Sequence, residues 1–168
     1  IAVVSGRSLQ ELQHLVGLTT LCYVGKHGLE MADAQLHHVN PLAKAHGPLL
    51  QDVARQLTEA LASISGAWVE DKGLTVSVHY RCVDPQQILA VKNIFDAVVR
   101  PYEAQGQLRV TTGKSVVELR PPVQWTKATV VNWLIARQAA LAASVLPVYV
   151  GDDMTDEDGF AVVNARGG

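Results

Sequence analysis

Short aliphatic runs that end in glycine and polar residues occur at three places in this chain. Ile1–Val4 leads into Ser5-Gly6-Arg7-Ser8, Leu21–Val24 into Gly25-Lys26-His27-Gly28, and Val145–Val150 into Gly151-Asp152-Asp153. Such runs fit parallel strands buried on both faces. The carboxyl ends of such strands are where open α/β sheets place ligands. A buried strand at residue 1 suggests a chain that begins in the middle of a fold.

Helical spacing fills the intervals. Ser8 and Glu11 have the spacing of a capping box, and Leu9, Leu12 and Leu15 follow it at helical period. A longer helix is predicted from about Leu42 to Ile64, with Leu50, Val53, Leu57 and Leu61 in its apolar stripe. Asp84-Pro85 supplies the cap and first-turn proline of another, whose buried face runs from Ile88 to Tyr102. A last long helix follows Lys127 through Val130, Leu134 and Ala139. Between these, Leu74–Arg81 alternates at period two and Leu108–Thr111 does so more roughly, as half-covered antiparallel strands do. The pattern predicts an α/β core over 1–32 and 117–168, interrupted by an α+β unit over 33–116.

Composition narrows the partners. With 168 residues and 48% hydrophobic positions a packed core is available, and with 5% aromatics it must be mainly aliphatic. A net charge of -2 leaves no electrostatic footprint for nucleic acid or an anionic membrane. No apolar run approaches the roughly 20 residues of a membrane span. Two cysteines and no basic apolar leader make a reducing, cytoplasmic setting the expectation.

The densest chemistry is Gly151 to Phe160, with five acids in seven positions directly after an aliphatic run. Glu157 and Asp158 are accounted for by a helix N-terminus. Asp152 and Asp153 precede the helix, and adjacent carboxylates that repel are reconciled by a hard cation such as Mg²⁺. Ser5-Gly6-Arg7 offers a hydroxyl, backbone N–H groups and a guanidinium at a helix start, a setting for an anion. Taken alone, Ser5 and Arg7 are ambiguous, and Ser8 is best read as a cap. Lys127 opens a helix against its dipole, which an anionic partner would offset, although a solvated surface lysine has the same sequence appearance. His27 and Gly28 lie in a strand-end loop whose glycines permit close backbone approach to a ligand. Glu70, Lys72 and Arg81 read in isolation as solvated surface charges.

In combination these stretches resemble the trehalose-6-phosphate phosphatases of the haloacid-dehalogenase superfamily. Val3–Arg7 is similar to the family's second motif, Gly25–Glu30 to its His-Gly-x-Glu loop, and Lys72–Arg81 to its Lys…Tyr-Arg segment. Val117–Pro121 followed by Lys127 resembles the third motif, and Gly151–Phe160 the fourth. The resemblance implies a Rossmann-like parallel core, incomplete here, with a small inserted α+β cap. It implies Mg²⁺-dependent hydrolysis of trehalose 6-phosphate, or a similar sugar phosphate, through an aspartyl-phosphate. By matched position, Ser5, Arg7 and Lys127 would serve the phosphoryl group, with Gly6, His27 and Gly28 beside it. Asp152 would bind the metal, and Asp153 would sit near it and orient Lys127. Glu70, Lys72 and Arg81 would meet sugar hydroxyls from the cap, with Glu118 reaching from the core side, which reverses the surface-charge reading above.

Two departures stand out. The family's Asp-x-Asp-Gly-Thr motif, which carries the nucleophile, is missing, the first acid being Glu11; and Ala128 follows Lys127 where glycine is usual. The expectation is a fragment, inactive alone, whose partner is a missing N-terminal segment or a trehalose-phosphate synthase domain. Alternatives are another sugar phosphatase of the superfamily and a non-catalytic sugar-phosphate-binding module.

Overall fold

A computed structural model of the chain describes residues 1–140, 145–152 and 156–168. It divides into two units, one of residues 1–38 and 124–168, the other of residues 39–123.

In the first unit, β1 (Ala2–Val4) pairs in parallel with β2 (Cys22–Gly25), as expected, and β2 turns back antiparallel onto β3 (Glu30–Ala32). β4 (His37–Val39) completes the order β1-β2-β3-β4. The sheet is therefore mixed, because the loop after β2 reverses within a few residues. α1 (Leu9–Val16) closes the connection between β1 and β2. Ser8 and Glu11 form the capping box, and Gly17 ends the helix in the left-handed region. Leu9 and Leu12 pack with Tyr23 and Ala32 on one side of the sheet. On the other, Val24 and Met31 meet Val130 of α5 (Lys127–Ala139). The Val145–Val150 run, expected as a third parallel strand, has no sheet partner among the described residues. Its exposure alternates instead: Leu146, Val148 and Val150 face solvent while Val145, Pro147 and Tyr149 are partly covered.

The second unit is a four-stranded antiparallel sheet. The strands are β5 (Trp68–Asp71), β6 (Val76–His79), β7 (Arg109–Gly113) and β8 (Val116–Arg120), in the order β5-β6-β8-β7. Two helices cover one face. Leu50, Val53 and Leu57 of α3 (Gly47–Leu61) and Val91, Phe95 and Val99 of α4 (Ile88–Ala104) bury against Val76, Val78, Val117 and Leu119. Each such side chain contributes about 1.5–3 kcal/mol by leaving water. The helix expected over Leu42–Ile64 is two helices. α2 (Pro41–Ala45), capped by the Asn40 side chain, stops at His46, and α3 restarts with Pro48 in its first turn. Proline lacks the N–H that a continuous helix would need there.

The units divide at 38/39 and 123/124, whereas the sequence pattern suggested 32/33 and 116/117. β8 explains the later boundary: it pairs with both β6 and β7 and is the inner strand of the second unit's sheet. Glu118 therefore sits in the second unit, not on the core side.

Candidate active site

In the first unit, the turn after β1 is built from its own polar groups. The Arg7 N–H donates to Ser5 Oγ at 3.2 Å, and the Ser5 N–H to the Val24 carbonyl at 3.0 Å. The turn after β2 locks onto it. The Lys26 N–H donates to the Arg7 carbonyl at 2.8 Å and the His27 N–H to the Ser5 carbonyl at 2.9 Å. Both Lys26 and His27 take left-handed backbone angles, an unusual state for non-glycine residues that these two bonds hold in place. Glu30 binds the two turns from below. Its Oε1 accepts from the Leu9 N–H at 2.7 Å, and Lys26 Nζ lies 3.5 Å away, with the lysine buried.

The His27 ring lies directly on Gly6, where a β-carbon would come within 2.5 Å of Nε2. Gly28 in turn lies against Trp125, where a β-carbon would come within 2.2 Å of Cδ1, at a φ of +107°. Trp125 stands two residues before Lys127. The Ser5 turn, the His27 turn and the start of α5 are thus contiguous. The Arg7 side chain is exposed, with its guanidinium 3.7 Å from Glu11.

Lys127, the first residue of α5, is buried. Its Nζ donates to Asp156 Oδ1 at 2.7 Å, and the same oxygen accepts from the Tyr149 hydroxyl at 2.5 Å. Asp156 is also buried, which explains how a lysine is tolerated in a first helical turn: its counter-charge is fixed by the fold. Burial and the neighbouring carboxylate hold the Tyr149 hydroxyl well above its ordinary value, so it remains a donor. Gly151 lets this carboxylate approach, since a β-carbon there would lie 2.4 Å from Asp156 Cγ.

Sequence reasoning missed Asp156 and Tyr149. Asp156 stood in the acidic run, but its direction could not be read from spacing. The expected orienter of Lys127, Asp153, lies outside the described residues. Asp152 is exposed, with no hydrogen bond or ion pair to another described residue. Among the described residues no three His, Cys, Asp or Glu side chains gather as a metal cluster. Asp152 still offers hard oxygen donors of the type Mg²⁺ takes, one or two carboxylates completed by water and phosphate.

The second unit brings together three of its four expected residues. Lys72 Nζ lies 3.4 Å from Glu70 Oε2 and 3.9 Å from Glu118 Oε1, and donates to Ser77 Oγ at 3.0 Å. Arg120 Nε donates to Glu118 Oε2 at 2.9 Å. The strand register places Glu70, Ser77 and Glu118 side by side on the face opposite the helices. Arg81 is exposed beyond the end of β6 and is not joined to this cluster.

The trehalose-phosphatase family model matches residues 1–167. A trehalose-phosphate phosphatase of Mycobacterium marinum is 40% identical over 99% of this chain, which spans 42% of that protein. Two solved structures share the fold. One is a trehalose-6-phosphate phosphatase related protein, with a TM-score of 0.79 at 18% identity over 98% of this chain and 66% of its own. The other is the C-terminal domain of the Candida albicans trehalose-6-phosphate phosphatase, with a TM-score of 0.71 at 23% identity over 99% of this chain and 60% of its own. The chain thus spans less than half the length of that curated relative.

Proposed function

The chain belongs to the trehalose-phosphatase family, and on that premise we propose that it supplies the phosphate-holding and sugar-reading parts of a phosphatase acting on trehalose 6-phosphate. The observation that carries this reading is the buried Lys127–Asp156 pair, reached through contiguous contacts from the Ser5 turn.

Phosphoryl transfer asks a protein mainly to position the group and to offset charge on its equatorial oxygens. Lys127, fixed by Asp156, offers an ammonium whose direction is set before substrate arrives. Ser5 offers its hydroxyl, and the Gly6 backbone offers close approach. Arg7, exposed and paired only at the surface with Glu11, would exchange that carboxylate for an incoming anion. Asp152, together with Asp153, would hold Mg²⁺, which supplies charge neutralisation at the phosphoryl oxygens when bound. Glu70, Lys72 and Glu118 would meet sugar hydroxyls with acceptors and a donor, and Arg81 would join them from the end of β6.

The family's covalent step needs an aspartate nucleophile, and no Asp-x-Asp-Gly-Thr occurs in these 168 residues. We therefore assign binding to this chain and hydrolysis to its combination with a segment that carries that motif. We place that segment in the first unit, beside β1. Ala2 and Val4 of β1, together with Val148 and Tyr149, line an open cavity of about 540 Å³. Two unpaired cysteines, one of them exposed, suit the reducing cytoplasm in which we place the reaction.

The test compares the chain alone with a chain extended by an Asp-x-Asp-Gly-Thr segment, each given trehalose 6-phosphate and Mg²⁺. Phosphate release by the extended chain alone is expected. Release by the 168 residues unaided would overturn the division of labour. No release by either, with no binding of the substrate, would overturn the assignment itself.

A further inference from the structure

The face of the second unit's sheet opposite the helices carries more than the charged cluster. Trp68 and His79 stand opposite each other on β5 and β6, and their rings stack at a centroid distance of 4.1 Å and an interplanar angle of 9°. Trp68 is one of few aromatic residues in the chain, yet it remains 52% exposed on an edge strand. One face of its indole is taken by the imidazole, so the exposed area belongs to the other face and the ring edges. His79 is fixed from a second side, its Nε2 lying 2.9 Å from Glu70 Oε2. A carboxylate accepts, so Nε2 carries the proton, and in the neutral ring Nδ1 is left as an acceptor. Glu70 is therefore shared between His79 and Lys72.

We propose that Trp68, stacked on His79 beside the Glu70–Lys72–Glu118 cluster, is a platform for a pyranose ring. The inference rests on the sugar-phosphate reading above and names the pair that would read the sugar. Three features select a pyranose. A flat exposed indole matches the apolar C–H face of such a ring. The neighbouring charges are two carboxylates and two cations, Lys72 and Arg120, a balanced set suited to a neutral polyol rather than to an anion. Donors and acceptors alternate across adjacent strands, as hydroxyls around a ring require.

The indole N–H resonances of the whole chain provide the readout, with the Trp68 signal identified by its loss in Trp68→Phe. Trehalose 6-phosphate, and trehalose alone at higher concentration, are expected to move the Trp68 resonance saturably. Trp68→Ala should weaken trehalose 6-phosphate binding about tenfold, and Trp68→Phe, which keeps a ring, by less. Unaltered circular dichroism of both variants would show that the sheet persists. Trehalose 6-phosphate that binds with equal affinity to wild type and Trp68→Ala, leaving the Trp68 signal unmoved, would overturn the platform while the phosphatase reading stands. Trehalose moving the Trp68 signal, even if the extended chain releases no phosphate, would support the platform by itself. Failure of both sugars to bind would overturn the platform together with the sugar-reading role of the sheet.

Discussion

Replacing Asp156 by alanine tests how the first unit holds its buried ammonium. The Lys127 and Asp156 side chains are 9% and 8% exposed and meet at 2.7 Å, so solvent screening is slight and water cannot replace the lost carboxylate. Removing one partner of a buried pair typically costs about 3–5 kcal/mol, because the other charge stays desolvated. The Tyr149 hydroxyl also loses its acceptor, but it is partly exposed and water can serve it. The full cost is thus about 3–5 kcal/mol, a large share of the roughly 5–15 kcal/mol that holds a domain folded. With a urea m-value near 2 kcal/mol/M, the unfolding midpoint should fall by about 2 M. The assay is tryptophan fluorescence in a Trp68→Phe background, where Trp125 and Trp133, both in the first unit, report on it alone. A double variant, Lys127→Met with Asp156→Leu, removes both charges and should recover part of the loss. A midpoint shift worth less than about 1 kcal/mol, the scale of an exposed pair, would mean that the ammonium reaches water and that the fold does not fix it.

Other outcomes follow from the same unit. Gly28→Ala combines a φ of +107° with a β-carbon 2.2 Å from the Trp125 ring, so it should destabilise by about 2 kcal/mol or more and alter Trp125 fluorescence; unchanged stability would mean the turn is not locked. The Arg137 guanidinium hydrogen-bonded to Asp33 holds that carboxyl below its ordinary 3.8. A depressed carboxyl takes its proton later in the folded chain than in the unfolded one. Its contribution is therefore complete above the ordinary value and is lost as pH falls through the depressed one. Asp33→Asn should be less stable than wild type near pH 7, with the gap narrowing below about pH 3.8. Urea midpoints across that range check this, and a gap independent of pH would refute it.

Several local features were legible in the sequence because neighbours along the chain decide them. Ser8 and Glu11 cap α1 as their spacing required, and the period of Leu50, Val53 and Leu57 revealed the buried face of α3. The family motifs were legible for a related reason, since each is a short run of residues. The partner of Lys127 was not, because Asp156 lies 2.7 Å from Nζ in space but on a different helix terminus in the chain. Nor could period-two alternation say that Val116–Arg120 would join β6 and β7, since a strand's sheet is chosen by the edges available to pair with it. The Trp68–His79 stack depends on cross-strand register in the same way. Local periodicity and capping fixed which residues are helical and which faces are apolar. Which charges neutralise one another and which rings meet was decided by tertiary packing, because those energies depend on distances that sequence separation does not encode.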